Sequence, residues 1–149
     1  MAILLDTNVL LRWQEFRNPD YLLINRVVDQ LLFRNENLFY TAQNISEFWN
    51  TLTRPISSNG FGYSPNEADE RVSQIESKFK FLSDEAEQYL VWRMLVVKYQ
   101  VRGVQVHDAR LVATMLHHGV TRILTFNAAD FTRYKEIEAL HPAVVAKET

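Results

Sequence analysis

The chain has 149 residues, 47% hydrophobic and 23% charged side chains, and a formal net charge of -2, a composition that suits one globular domain and excludes a disordered, fibrous or strongly basic polyanion-coating protein. It contains no Cys, which excludes disulfide staples, thiolate zinc sites and cysteine nucleophiles and makes the reducing cytoplasm the expected setting. The longest apolar run, Tyr89 to Val97, is broken by Arg93, and the N-terminus lacks the pattern of a leader, so no membrane association is expected.

Ala2 to Leu5 reads as a buried strand ended by turn formers, with a helix starting near Asn8. A second helix is expected through Leu23, Val27 and Leu31, with Asp20 able to cap it. Leu38 to Thr41 is the second strand. Ile45, Phe48, Trp49 and Leu52 then recur at helical spacing until Pro55 forces a stop after Arg54. Ser57 to Tyr63 concentrates Ser, Asn and Gly and reads as a mobile loop. Ser64, Pro65 and Glu67 form a capping box at the head of another helix, and Phe79 to Leu82 supplies a third strand. From Ser83 a long helix is expected, with Ala86, Leu90, Met94, Val97 and Val101 on one face and Gly103 as its stop. A last helix opens near Asp108 and ends at Gly119. Thr121 to Phe126 and Ala143 to Ala146 complete the pattern as fourth and fifth strands. The expected class is α/β: one domain over residues 1–149, with a central parallel sheet of about five short strands flanked by helices on both faces.

Such a sheet gathers the carboxyl ends of its strands along one edge, where ligands bind. Asp6 directly follows the first strand, Glu47 lies in the first turns after the second, and Asp130 comes shortly after the fourth. Asp108, at a helix N-terminus, can reach the same edge. Each acid has an ordinary explanation: Asp6 as a helix cap, Glu47 as the polar side of an amphipathic helix, Asp108 as a helix-dipole partner and Asp130 as a turn former. Together they pose a different problem, because two like charges ~4 Å apart repel by about 4 kcal/mol at a surface-like dielectric. Raised pKa values would relieve that repulsion, and so would a divalent cation suited to hard oxygen ligands, Mg²⁺ or Mn²⁺. A cation so held polarises a phosphate and activates a water, the outline of a phosphodiesterase.

The segments "LLDTNVLLR", "NISEFWN", "HDARLVA" and "TFNAADF", in this order, resemble the PIN-domain nucleases, particularly the VapC-like toxins of bacterial toxin-antitoxin pairs. The resemblance spans nearly the whole chain. It implies that Asp6, Glu47, Asp108 and Asp130 hold Mg²⁺ or Mn²⁺, with Thr7 or Asn8 as an additional polar contact. It further implies cleavage of RNA, a homodimer and a cognate antitoxin protein whose tail enters the cleft. Asn127 stands where some members carry another acid, so one metal is better supported than two.

Arg12, Arg17, Arg54 and Arg110 lie near the motifs and are candidates to contact RNA phosphates, although solvated surface Arg is the commoner role. Phe61 and Tyr63 are candidates to stack on unpaired bases or to cover a dimer interface. Leu90, Met94 and Val97, with Trp92 beside them, read as core or subunit interface. The four His residues lack the partners and spacing of a zinc site. The expected function is therefore a metal-dependent endoribonuclease. A PIN-like module that binds RNA or protein without cutting is the alternative, and an aspartyl phosphatase using Asp6 a weaker one, since position 8 holds Asn where that chemistry wants an acid.

Overall fold

Ile3, Leu4 and Leu5 are wholly inaccessible to solvent, and their alternation sends Ile3 and Leu5 to one face of a sheet and Leu4 to the other. A strand buried on both sides must be central. A computed structural model describes residues 1–148 and shows it so: five parallel strands lie in the order β3-β2-β1-β4-β5. These are β1 (Ala2–Leu5), β2 (Asn37–Thr41), β3 (Lys80–Leu82), β4 (Arg122–Leu124) and β5 (Glu138–Leu140). The chain winds outward from β1 through β2 to β3, then returns to place β4 on the other side of β1. The reversal of strand order lies at β1, so the crevice expected of such sheets opens at its carboxyl end.

Among the described residues, seven α-helices cover the two faces. α1 (Thr7–Gln14), α2 (Tyr21–Phe33), α3 (Ala42–Thr53), α4 (Pro65–Lys78) and α7 (Pro142–Ala146) pack over Ile3, Leu5 and Tyr40. α5 (Gln88–Lys98) and α6 (Val106–His117) pack over Leu4 and Ile123. Among the described residues no helix is long and apolar enough to cross a membrane. Both expected signals at the ends of α4 and α6 are met. Ser64 and Glu67 form a reciprocal capping box. Gly119, at φ +71°, closes α6 with the Val120 N–H donating to the Met115 carbonyl.

Several expectations need correction. Ala143–Ala146 is not a strand. Pro142 has no N–H for a ladder but fits the first helical position, and the His141 ring nitrogen accepts from the Ala143 N–H, so a five-residue helix forms and β5 moves back to Glu138–Leu140. Asp20 precedes α2 without a side-chain capping bond and pairs instead with Arg12 at 3.5 Å. α5 is shorter than expected. Gln100, at φ +50°, closes it with the Val101 N–H on the Val96 carbonyl, well before Gly103. The helix is also rotated from the expected face. Leu95 is its wholly buried apolar residue, flanked by Val91, Trp92 and Val96, while Leu90, Met94 and Val97 are 64%, 57% and 65% exposed. A helix apolar nearly all round offers more than one stripe, and packing decides between them.

The Ser57–Tyr63 loop is pinned rather than loose. The N–H groups of Phe61, Gly62 and Tyr63 donate to the Thr51, Arg54 and Leu52 carbonyls at the end of α3. Gly60 passes so close to α3 that a Cβ there would lie 2.1 Å from the Arg54 carbonyl oxygen. Only glycine fits.

Candidate functional site

The carboxyl end of β1 delivers Asp6 into the crevice, 8% exposed. Its Oδ1 accepts from the Thr7 N–H at 2.8 Å, and it occupies the N-cap position of α1. The ordinary role and the special placement coincide. Its Oδ2 accepts from the Thr125 hydroxyl at 2.8 Å and from the Asn8 amide at 3.3 Å. Thr125 is fully buried just past β4, and its oxygen also accepts from the Asn127 N–H at 3.0 Å. Thus the strands flanking the crevice are laced together through one carboxylate.

A second network holds Glu47. Thr7 donates its hydroxyl to Glu47 Oε1 at 2.8 Å, and the Asn44 amide donates to that hydroxyl at 3.1 Å. Asn44 is itself fixed because it completes the capping box of α3 with Thr41. Asp108 lies in the first turn of α6, and that turn is tied to α3 by Gln43, whose amide donates to the His107 carbonyl at 2.8 Å. Asp130 sits exposed in a short 3-10 turn, Ala128–Phe131, after β4.

The acids feel one another. Burial raises the Asp6 carboxyl above its usual range, opposed by the bonds from Thr125 and Thr7, and the charges of Glu47 and Asp130 push it further up. Burial also raises Asp108, to about 6, with Asp6, Asp130 and Glu47 adding to the effect and Arg133 opposing it. Asp6 thus feels the charges of Glu47 and Asp130, and Asp108 those of the other three acids. As placed, and among the described residues, no three His, Asp or Glu side chains converge closely enough to hold one ion together. The donor chemistry still fits a hard divalent cation. Every acid oxygen is a hard ligand, and the buried charge is poorly compensated by the chain itself.

The other candidates divide. Thr7 and Asn8 join the cluster through Glu47 and Asp6, and Asn127 through its backbone N–H. Arg12 lies over the Phe126 ring at 4.1 Å and pairs with Asp20. Arg54 donates to the Asn59 carbonyl at 2.9 Å and steadies the pinned loop. Arg110, two residues after Asp108 in α6, pairs with Asp84 at 3.6 Å. Phe61 and Tyr63 are partly buried and pack edge to face at 5.7 Å against the core, and the Tyr63 ring also carries the Arg71 guanidinium. Thr125, Asn44 and Gln43 escaped the sequence reading. Only Asn44 carried a local signal, as the fourth residue of a Thr-x-x-Asn box.

The PIN domain model matches residues 3–137. The fold also resembles solved structures at low identity. A DNA-bound VapBC from Salmonella typhimurium superposes with TM-score 0.69 at 14% identity, covering 95% of this chain and 98% of that one. VapBC-1 from nontypeable Haemophilus influenzae gives 0.68 at 15% identity, covering 96% and 99%. VapC20 from Mycobacterium tuberculosis, described as a sarcin-ricin loop cleaving toxin, gives 0.64 at 14% identity, covering 89% and 95%. A comparison with curated proteins finds no significant match.

Proposed function

Because the chain belongs to the PIN-domain family, we propose that it is a metal-dependent endoribonuclease, the toxin of a VapBC-type pair acting in the cytoplasm. The observation that carries this reading is geometric: at the carboxyl end of the sheet Thr7 donates its N–H to Asp6 and its hydroxyl to Glu47, so the two acids are held side by side, with Asp108 in the first turn of α6. Mg²⁺ or Mn²⁺ would be held by these four residues and, when bound, would supply charge neutralisation and Lewis acidity at a scissile phosphate. Thr125 and Thr7 fix the orientation of Asp6, and Thr7 with Asn44 fixes Glu47. A site hung on strand ends and helix first turns keeps its ligands in register better than one built on loops.

The solved relatives are toxin-antitoxin complexes by name, which supports an antitoxin partner for this chain. A homodimer fits the exposed apolar side of α5. The phosphatase reading loses ground at Asn8, whose amide donates a hydrogen bond to Asp6 and is too weak an acid to protonate a leaving group.

The test is cleavage of single-stranded and structured RNAs, with matched DNA strands, in Mn²⁺ or Mg²⁺, beside EDTA and Asp6→Asn. Metal-dependent cutting of RNA that disappears in Asp6→Asn is expected. Failure to cut any strand together with no thermal stabilisation by Mn²⁺ would favour the non-catalytic module. Activity that persists in EDTA would overturn the reading.

A further inference from the structure

At the first turn of α6, which carries Asp108, a cleft of about 440 Å³ opens between the N-terminal turns of α5 and α6, within the size range of small-ligand sites. Tyr89 and Trp92 form one wall, one helical turn apart, with ring centroids 6.4 Å apart and planes inclined by 31°. Trp92 is locked by its indole N–H, which donates to the Val106 carbonyl at 2.9 Å, while Tyr89 is 59% exposed. His107 and Arg110 of α6 line the same cleft, with Asp84 paired to Arg110 at 3.6 Å, so aromatic rings share it with groups able to donate and accept hydrogen bonds. His107 immediately precedes Asp108, and its carbonyl is the one that Gln43 holds. The cleft is thus one residue along α6 from Asp108.

We propose that this cleft is a base-binding subsite, in which an unpaired nucleobase next to the scissile phosphate stacks on Tyr89 and Trp92 with its polar edge toward His107 and Arg110. The inference rests on the nuclease reading above. Three observations choose a nucleobase as occupant. Aromatic rings that share a cleft with polar groups match a π face with a polar edge. The net charge of -2 and the acidic centre give a polynucleotide little bulk attraction, so stacking must supply much of the affinity. Finally, the rings of Phe61 and Tyr63 are committed to the core and to Arg71.

The experiment is a titration of ¹⁵N-labelled protein with adenosine, guanosine, cytidine and uridine 5′-monophosphates and with ribose 5-phosphate, following the indole resonances of Trp13, Trp49 and Trp92. At least one nucleotide should move Trp92 and leave Trp13 unmoved, while ribose 5-phosphate leaves Trp92 in place. Tyr89→Ala should raise the Kd roughly tenfold, as loss of one stacking ring does elsewhere, and Tyr89→Phe should restore it. In parallel, RNA carrying an abasic residue beside the cut should lose kcat/KM by about the same factor. A silent Trp92, an equal response to ribose 5-phosphate, or indifference to Tyr89→Ala overturns the subsite. Cutting without a Trp92 response removes the subsite and leaves the nuclease. A Trp92 response with no RNA cut removes the nuclease, and with it the placement of the base beside a scissile phosphate.

Discussion

Replacing Asp108 with Asn should make the metal-free protein more stable at neutral pH while removing its response to metal. Asp108 is raised from 3.8 to about 6 by burial and by Asp6, Asp130 and Glu47. The fold thus favours its protonated form. The stability this contributes is complete below the ordinary carboxylate range and is lost as pH rises through about 6. A displacement of about two pH units corresponds to ~3 kcal/mol, reduced to about 1–2 kcal/mol because the half-buried side chain is screened by solvent. Losing a negative charge from the first turn of α6 returns ~0.5 kcal/mol. The net gain is about 1 kcal/mol, or a Tm rise of roughly 2–4 °C for a chain of this size. Thermal unfolding in EDTA between pH 4 and 8 measures it. Asp108→Asn should match the wild type near pH 4, pull ahead through pH 5 and 6 and hold its lead above. Mn²⁺ at about a hundred times its Kd should stabilise the wild type by ~2.7 kcal/mol and the variant far less. If Asp108→Asn is no more stable than the wild type at pH 7.5, the crowding of the acids is not what the geometry implies.

Thr125→Val removes a donor from Asp6 and leaves the Asn127 N–H without its acceptor. It should cost about 1–3 kcal/mol, read by urea unfolding, and should move the pH midpoint of Mn²⁺ binding upward, because Asp6 becomes harder to ionise. Gln43→Leu leaves the His107 carbonyl without its side-chain partner. The fold should survive by circular dichroism, but Mn²⁺ affinity by calorimetry should fall as the α6 N-terminus loosens from α3; unchanged affinity would show that Gln43 does no more than pack. Gly60→Ala sets a methyl against the Arg54 carbonyl and should cost about 1–3 kcal/mol, with increased proteolysis between Ser57 and Tyr63. His141→Ala removes the cap of α7 and should cost ~1 kcal/mol while leaving the Mn²⁺ response intact, which separates general destabilisation from damage to the acids.

The sequence determined what is local and what is periodic. The apolar run of β1 broken at Asp6, the capping box at Ser64, the stop before Pro55 and the glycine closure of α6 all follow from a few consecutive side chains and their backbone preferences. Alternating strands and helices then imply a parallel sheet, and a parallel sheet has one edge for ligands, which is why Asp6, Glu47, Asp108 and Asp130 were expected along it before any coordinate. Tertiary structure decided everything that depends on a choice between equivalent local options. The apolar stripe of α5 that faces inward is chosen by α6 and the sheet, because its own pattern is apolar on more than one side. Likewise, a Pro-led Ala-Val-Val-Ala becomes a helix because His141 caps it and Val145 finds the core. Thr125, Asn44 and Gln43 were out of reach for the same reason. Thr125 lies 119 residues from the carboxylate it serves, and a hydrogen bond across that separation exists only after the sheet has brought β4 beside β1.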